Sequence, residues 1–303
     1  MDIDTIAQEL SFLVRVKKNE LLKNHTTLRL GGPAALWVEV ENEQQLQRTI
    51  KVLSPNPGFI LGAGSNVLCS DQGYPGVVIR LKGDFTTINF SDRENKVIAG
   101  SAVVLPVLIN QALQRNLGGL EILAGIPGTL GGALIMNAGT RWGEIGSIVN
   151  RVRVMDRSCQ IYWLDKKDIS FSYRNSSLPD YFILAGELNL QPEVKEEIAE
   201  RMRQYLLERA QKQPLSAYNA GSVFKNPPGD YAARLIESCN LKGKKIGGAM
   251  VSEKHANFII NCGDASARDV RELIDLVQKT VREKTGINLE LEIKLVGFDE
   301  EKN

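Results

Sequence analysis

The sequence predicts an α+β fold of more than one domain. Three observations carry this reading: a strand–helix–strand pattern near the start, short apolar runs of strand length through the middle, and charged helices with apolar stripes from about residue 193 onward. At 303 residues, with 43% hydrophobic and 24% charged residues, the chain has the composition of a globular protein and the length for a substantial core.

Taken in order, "AALWVEV" (34–40) predicts a strand. "ENEQQLQRTIKVL" (41–53) is a helix with Leu46, Ile50 and Leu53 on one face, and "FIL" (59–61) is a second strand. "GVVIRL" (76–81) and "KVIAG" (96–100) are further strands, and "LPVLINQALQR" (105–115) is a helix. "TLGGALIMNA" opens a short helix, after which "RVRVM" (151–155), "QIYWL" (160–164) and "YFILAGELNL" (181–190) read as strands. Val194, Ile198, Met202, Tyr205 and Leu206 form a stripe on a charged helix within 193–214 that Pro214 stops. "NAGSVFKNPPGD" (219–230) is a loop and "YAARLIESC" (231–239) a helix. The last helix lies between Ser266 as N-cap and Gly286 as stop. In "INLELEIKLVG" (287–297) the apolar residues alternate, so a strand there sends Glu290, Glu292 and Lys294 to the opposite face.

A formal net charge of +1 offers no electrostatic reason for nucleic acid or an anionic membrane as partner. Cys69, Cys159, Cys239 and Cys262 are scattered, without a C-x-x-C pair, and are expected as reduced, buried thiols. Two distant histidines, His25 and His255, argue against a zinc site, and no metal is expected. The opening residues form neither a signal peptide nor a membrane span, so the expected location is cytoplasmic.

"AGIPGTLGGALIMNAGT" (124–140) carries Gly125, Gly128, Gly131, Gly132 and Gly139 and no charge. Glycine serves to reach positive φ or to let another molecule approach the main chain. Clustered N–H groups can cradle phosphate oxygens without a lysine. A second small-residue bend, "GAGSN" (62–66), follows a strand. The Walker A pattern is absent. The dinucleotide fingerprint fails as well, because Val67 takes the place of its third glycine and turn chemistry with Pro75 follows where a helix should start. Ser65, Asn66, Thr129 and Asn137 add side-chain donors, and two such bends suit a diphosphate-bridged dinucleotide gripped along its length.

"NHTTLRLGGPA" (24–34), "LGAGSN" (61–66), "LAGIPGTLGGALIMNAGT" (123–140), "FSYRNS" (171–176), "NAGSVFKNP" (219–227), "KGKKIGGAMVSEKHANFIIN" (242–261) and "LELEIKLVG" (289–297) occur in this order. Together they resemble the UDP-N-acetylenolpyruvoylglucosamine reductase (MurB) family over nearly the whole chain. That resemblance implies an FAD-binding fold of the p-cresol methylhydroxylase and vanillyl-alcohol oxidase type, with a smaller substrate domain. It implies an FAD-binding region over 1–198 with subdomains 1–82 and 83–198, to which a strand at 287–303 returns, and a substrate-binding domain over 199–286. The implied contacts to non-covalent FAD are Gly62, Ala63, Gly64, Ser65, Asn66, Gly125, Ile126, Pro127, Gly128, Thr129, Gly131, Gly132, Asn137, Ala138 and Gly139.

The implied reaction is reduction of UDP-N-acetyl-3-O-(1-carboxyvinyl)-glucosamine, with NADPH as hydride donor through the flavin, for peptidoglycan synthesis. By the family pattern Ser222 gives the proton to C2, and Arg174 and Glu292, the latter protonated or sharing a proton, stabilise the enolate-like state. Arg209, Lys212, Lys225, Asn226 and His255 are the implied substrate contacts. Ala63 stands where the family commonly has glycine, and the segment between "YRNS" and "NAGS" resembles the shorter class, which lacks an inserted tyrosine-bearing loop.

Overall fold

The structure, a computed structural model, describes residues 2–56, 58–91 and 93–298. Residues 299–303, the end of the expected returning strand, lie outside the described residues. The chain forms two compact units. The first comprises residues 1–17, 37–63 and 78–208, and the second residues 18–36, 64–77 and 209–303. Each unit is thus assembled from three separate segments of the chain. Three strands of a four-stranded sheet (order 15–21, 33–40, 74–81, 59–60) carry the chain from one unit to the other.

In the first unit, α1 (Ile3–Ser11) starts at Asp2, whose carboxylate accepts the Asp4 and Thr5 N–H groups. Asn42 caps α2 (Glu43–Leu53) in the same way through Gln45 N–H. A five-stranded antiparallel sheet runs in the order 161–165, 149–155, 182–189, 96–100, 88–91. Its apolar face, with Val152, Val154, Ile183 and Leu188, packs on Leu105, Leu108 and Ile109 of α3 (Leu105–Leu113) and on Leu130 and Leu134 of α4 (Leu130–Met136). The next helix, α5 (Lys195–Lys212), departs from its expected stripe. Ile198 is buried and Tyr205 stacks on Trp142 at 3.8 Å, but Val194, which precedes the helix, and Leu206 are exposed.

The second unit has a four-stranded sheet in the order 218–219, 259–261, 249–251, 245–246. Its core joins Leu235 and Ile236 of α6 (Ala232–Ser238) to Val270, Leu273, Ile274, Val277 and Val281 of α7 (Ala267–Thr285). Ser266 caps α7 in a reciprocal box with Asp269, and Asp71 accepts the Ala267 and Arg268 N–H groups at 2.8 and 2.9 Å. Gly286, at φ 76°, ends the helix.

The predicted strand over 287–297 is only partly a strand. Residues 294–296 pair in parallel with 67–69, and Leu291 makes a single bridge to Phe224. Two different partners share this segment, so strict alternation breaks. Glu290 and Lys294 are exposed, Leu289 and Ile293 are buried, and Leu291 and Glu292 are both half-buried. Cys69, Cys159 and Cys239 are buried free thiols, with burial pushing Cys69 up to about 12, but Cys262 is exposed, against expectation.

Candidate active site

The strand at 59–60 delivers the chain to Leu61, whose N–H donates to Ile79 O, and the first bend starts there. The Arg80 guanidinium donates to the Gly62 carbonyl and fixes its direction. A Cβ on Gly62 would lie 2.8 Å from Thr129 Oγ1, so the bend approaches the start of the second glycine-rich stretch too closely for a side chain.

Within that second stretch most amides are spent on the protein. Ile126 N–H donates to Leu123 O, Leu130 to Val103 O, Gly131 to Ser101 O and Ala138 to Ala133 O, while Gly139 pairs with Glu144. Gly132 N–H donates to Thr129 Oγ1, which caps α4. Among the described residues, no protein acceptor meets the N–H groups of Gly125, Gly128 and Thr129 in this stretch, or of Gly62 and Ala63 in the first bend. These fixed donors, beside a glycine packed against a hydroxyl, fit an anionic diphosphate such as that of FAD. Asn137 is 1% exposed and its side-chain amide makes bonds within the protein. Nδ2 donates to Glu144 and to Ser172 O at 2.7 and 2.9 Å, and Oδ1 accepts Gly146 N–H at 3.0 Å.

Arg174 sits at the tip of a hairpin in which 171–172 pairs with 175–176. Its φ of 54° is left-handed, which costs a non-glycine residue about 1 kcal/mol or more. Two bonds to the end of α4 hold the hairpin: Ser172 O accepts from Asn137, and Ser176 Oγ donates to Ile135 O at 2.8 Å. The Arg174 guanidinium lies 5.3 Å from the Tyr173 ring centroid.

In the second unit, Gly64 reaches φ 65°, and its carbonyl accepts Thr27 N–H at 3.0 Å. Asn66 Nδ2 donates to Glu292 O at 3.1 Å, and Lys294 N–H donates to Asn66 O at 2.9 Å. Glu292 N–H donates to Val223 O at 2.8 Å, and Lys225 N–H to Glu290 O at 2.8 Å. Ser222, half-buried, lies between Val223 and Gly221, whose N–H donates to Asn219 Oδ1 at 2.9 Å. The fold thus brings Asn66, Ser222 and Glu292 onto adjoining backbone, although they are far apart in sequence.

The expected substrate contacts are placed as follows. Arg209 and Lys212 occupy the last turn of α5. Asn226 Oδ1 accepts Ala232 N–H at 3.0 Å, where α6 begins, and Lys225 Nζ lies 3.4 Å from the Glu290 carboxylate. His255 packs edge-on against Phe258 and accepts Asn257 N–H at Nδ1, and burial holds its pKa below the ordinary imidazole value. Asn257, inside the quoted "HANF" block, was not singled out from sequence, although it clamps the strip after Ser222. Among the described residues, no group of three or more His, Cys, Asp or Glu side chains could hold a metal ion, and no helix is long and apolar enough to cross a membrane.

Comparison with known proteins gives the family of the chain. Residues 34–165 match an FAD-binding domain family, and residues 213–296 match the C-terminal domain of UDP-N-acetylenolpyruvoylglucosamine reductase. The chain is 44% identical to UDP-N-acetylenolpyruvoylglucosamine reductase 2 of Symbiobacterium thermophilum, over 94% of this chain and 93% of the relative. It is also 44% identical to the reductase of Moorella thermoacetica, over 98% and 99%. The crystal structure of the reductase (MurB) from Thermus caldophilus superposes with a TM-score of 0.82 at 39% identity, covering 93% of this chain and 99% of that one. A flavin-binding α+β fold and near-complete coverage in both directions lead to one assignment: the chain belongs to the UDP-N-acetylenolpyruvoylglucosamine reductase family.

Proposed function

We propose that this protein reduces the enolpyruvyl ether of UDP-N-acetyl-3-O-(1-carboxyvinyl)-glucosamine to UDP-N-acetylmuramate in the cytoplasm, as a step of cell-wall precursor synthesis. The cofactor is FAD and the hydride donor NADPH. The FAD-binding match over 34–165 and the family relatives support the cofactor and the reaction class. The N–H groups of Gly62, Ala63, Gly125, Gly128 and Thr129 would hold the diphosphate of FAD, and Ser65 and Asn66 are further proposed cofactor contacts. When bound, the flavin supplies hydride chemistry that no side chain can perform.

The protein's own residues manage charge and the proton. When hydride adds to C3 of the substrate, the π electrons move toward C2 and the carboxylate. The Ser222 O–H bond breaks, its proton completes a C–H bond at C2, and the hydroxyl is reprotonated from solvent. Glu292 and Arg174 stabilise the negative charge that builds up before the proton arrives, Arg209 and Lys212 hold the nucleotide phosphates, and Asn226 contacts the substrate. The observation that supports this reading is the main-chain bond from Glu292 N–H to Val223 O, which joins the segment of the expected acid to the strip that follows the expected proton donor.

The test separates the two half-reactions under anaerobic conditions. NADPH should bleach the flavin, and the enolpyruvyl nucleotide should restore its colour. Ser222→Ala should slow the second step roughly 10²–10³-fold and leave the first unchanged. Equal losses in both steps would contradict the proton-donor role. Replacing NADPH by NADH in the first step tests the assignment of the donor.

A further inference from the structure

The strip that follows Ser222 has a partner on only one side from the chain's end. Val223 O and Lys225 N–H face residues 290–292, so the N–H and C=O of Phe224, itself 1% exposed, point the other way. A single side chain answers both: Asn257 Oδ1 accepts Phe224 N–H at 3.0 Å, and Asn257 Nδ2 donates to Phe224 O at 2.8 Å. Its backbone continues the pattern. Asn257 O accepts Val223 N–H at 2.9 Å, and Asn257 N–H donates to His255 Nδ1 at 3.3 Å. Asn257 is 4% exposed, so no water is available to replace these bonds cheaply. The residue acts as a one-residue strand that holds the main chain immediately after Ser222.

We propose that Asn257 is a positioning residue for proton delivery: it fixes the 223–224 backbone and so sets where the Ser222 hydroxyl points relative to Glu292. This rests on the reading of Ser222 as proton donor. Without the amide, two buried main-chain groups lose their partners, and the strip must shift to recover them. A displacement near 1 Å at a reacting group costs on the order of 10²-fold in rate. The loss should fall on the proton-dependent step alone, because hydride delivery to the flavin does not use Ser222.

The experiment measures both half-reactions by anaerobic stopped flow on flavin-loaded Asn257→Ala, Ser222→Ala and the double variant. Asn257→Ala should slow reoxidation by the enolpyruvyl nucleotide roughly 10- to 100-fold and enlarge its solvent deuterium isotope effect, while bleaching by NADPH stays within about twofold. In the Ser222→Ala background the same substitution should cost less than about twofold, since a lost hydroxyl no longer needs aiming. Additive losses, equal loss in both half-reactions, or no loss at all would each overturn the proposal. A defect in Ser222→Ala beside a normal Asn257→Ala removes only the positioning role. A normal Ser222→Ala removes the proton-donor reading and this proposal with it.

Should Asn257→Ala not fold, Asn257→Asp decides. It keeps the acceptor for Phe224 N–H but sets a carboxylate against Phe224 O, so its reoxidation rate should recover relative to the parent as the pH falls and the carboxyl gains a proton to donate. A pH profile parallel to that of the parent overturns the proposal.

Discussion

A methyl group added at Gly64 would meet the His25 carbonyl at 2.0 Å, and φ there is 65°. Both features penalise any other residue, and the obstacle is main chain that cannot move aside. Gly62 differs, since its obstacle is the Thr129 hydroxyl at 2.8 Å. That hydroxyl can turn away at the expense of the α4 cap, about 1 kcal/mol. Gly64→Ala should therefore purify with most of its flavin lost and a clearly lower Tm, and Gly62→Ala with a smaller loss of both, read from the 450 nm absorbance per protein and a thermal melt. Both glycines could be read in the sequence, because clustered small residues leave few uses other than close approach. The internal bonds of Asn137 were not legible in the sequence. Whether an amide faces a ligand or a neighbouring carbonyl depends on Ser172, Glu144 and Gly146, contacts that no local pattern announces. The left-handed Arg174 was equally invisible, since arginine carries no mark of positive φ.

At the scale of elements, local signals were reliable where the physics is local. The ends of α7 follow from Ser266 and Gly286, and the structure shows both. What the sequence could not show is Asp71, a second acceptor for the same helix start, 196 residues before Ala267. Ser266→Ala should cost about 1 kcal/mol in urea unfolding. The Asp269 carboxyl is held below the ordinary aspartate range, first by the Ser266 N–H bond and also by the Gly248 N–H. A group with a lowered folded pKa contributes stability that is complete above its unfolded pKa and lost as the pH falls through the folded one. Acid unfolding should therefore steepen below the ordinary aspartate pKa, and Asp269→Asn should flatten that limb in a pH series of denaturant melts. The alternation over 287–297 predicted a strand, but periodicity reports faces rather than partners. A segment shared between 223–225 and 66–69 shows strand spacing without one continuous ladder.

For the whole molecule, compactness groups 18–36 and 64–77 with the residues from 209 onward. Composition along the chain cannot reveal that, because the deciding contacts join distant segments: Leu68 in the same core as Val270, and 67–69 paired with 294–296. A fragment spanning 199–303 should accordingly remain unfolded by circular dichroism and amide exchange. A fragment list restoring 18–36 and 64–77 in trans should raise its helicity, and a folded 199–303 alone would refute this account of the unit.

The parallel pairing of 67–69 with 294–296 also dictates when the molecule can be born. Closing a loop of that length carries an entropic cost no local contact offsets early. Val67–Cys69 must wait for residues 294–296 to be made before this ladder can form. Glu292 meets Val223 only once that late segment has been made, so the backing of the 223–225 strip belongs to the last stages of assembly.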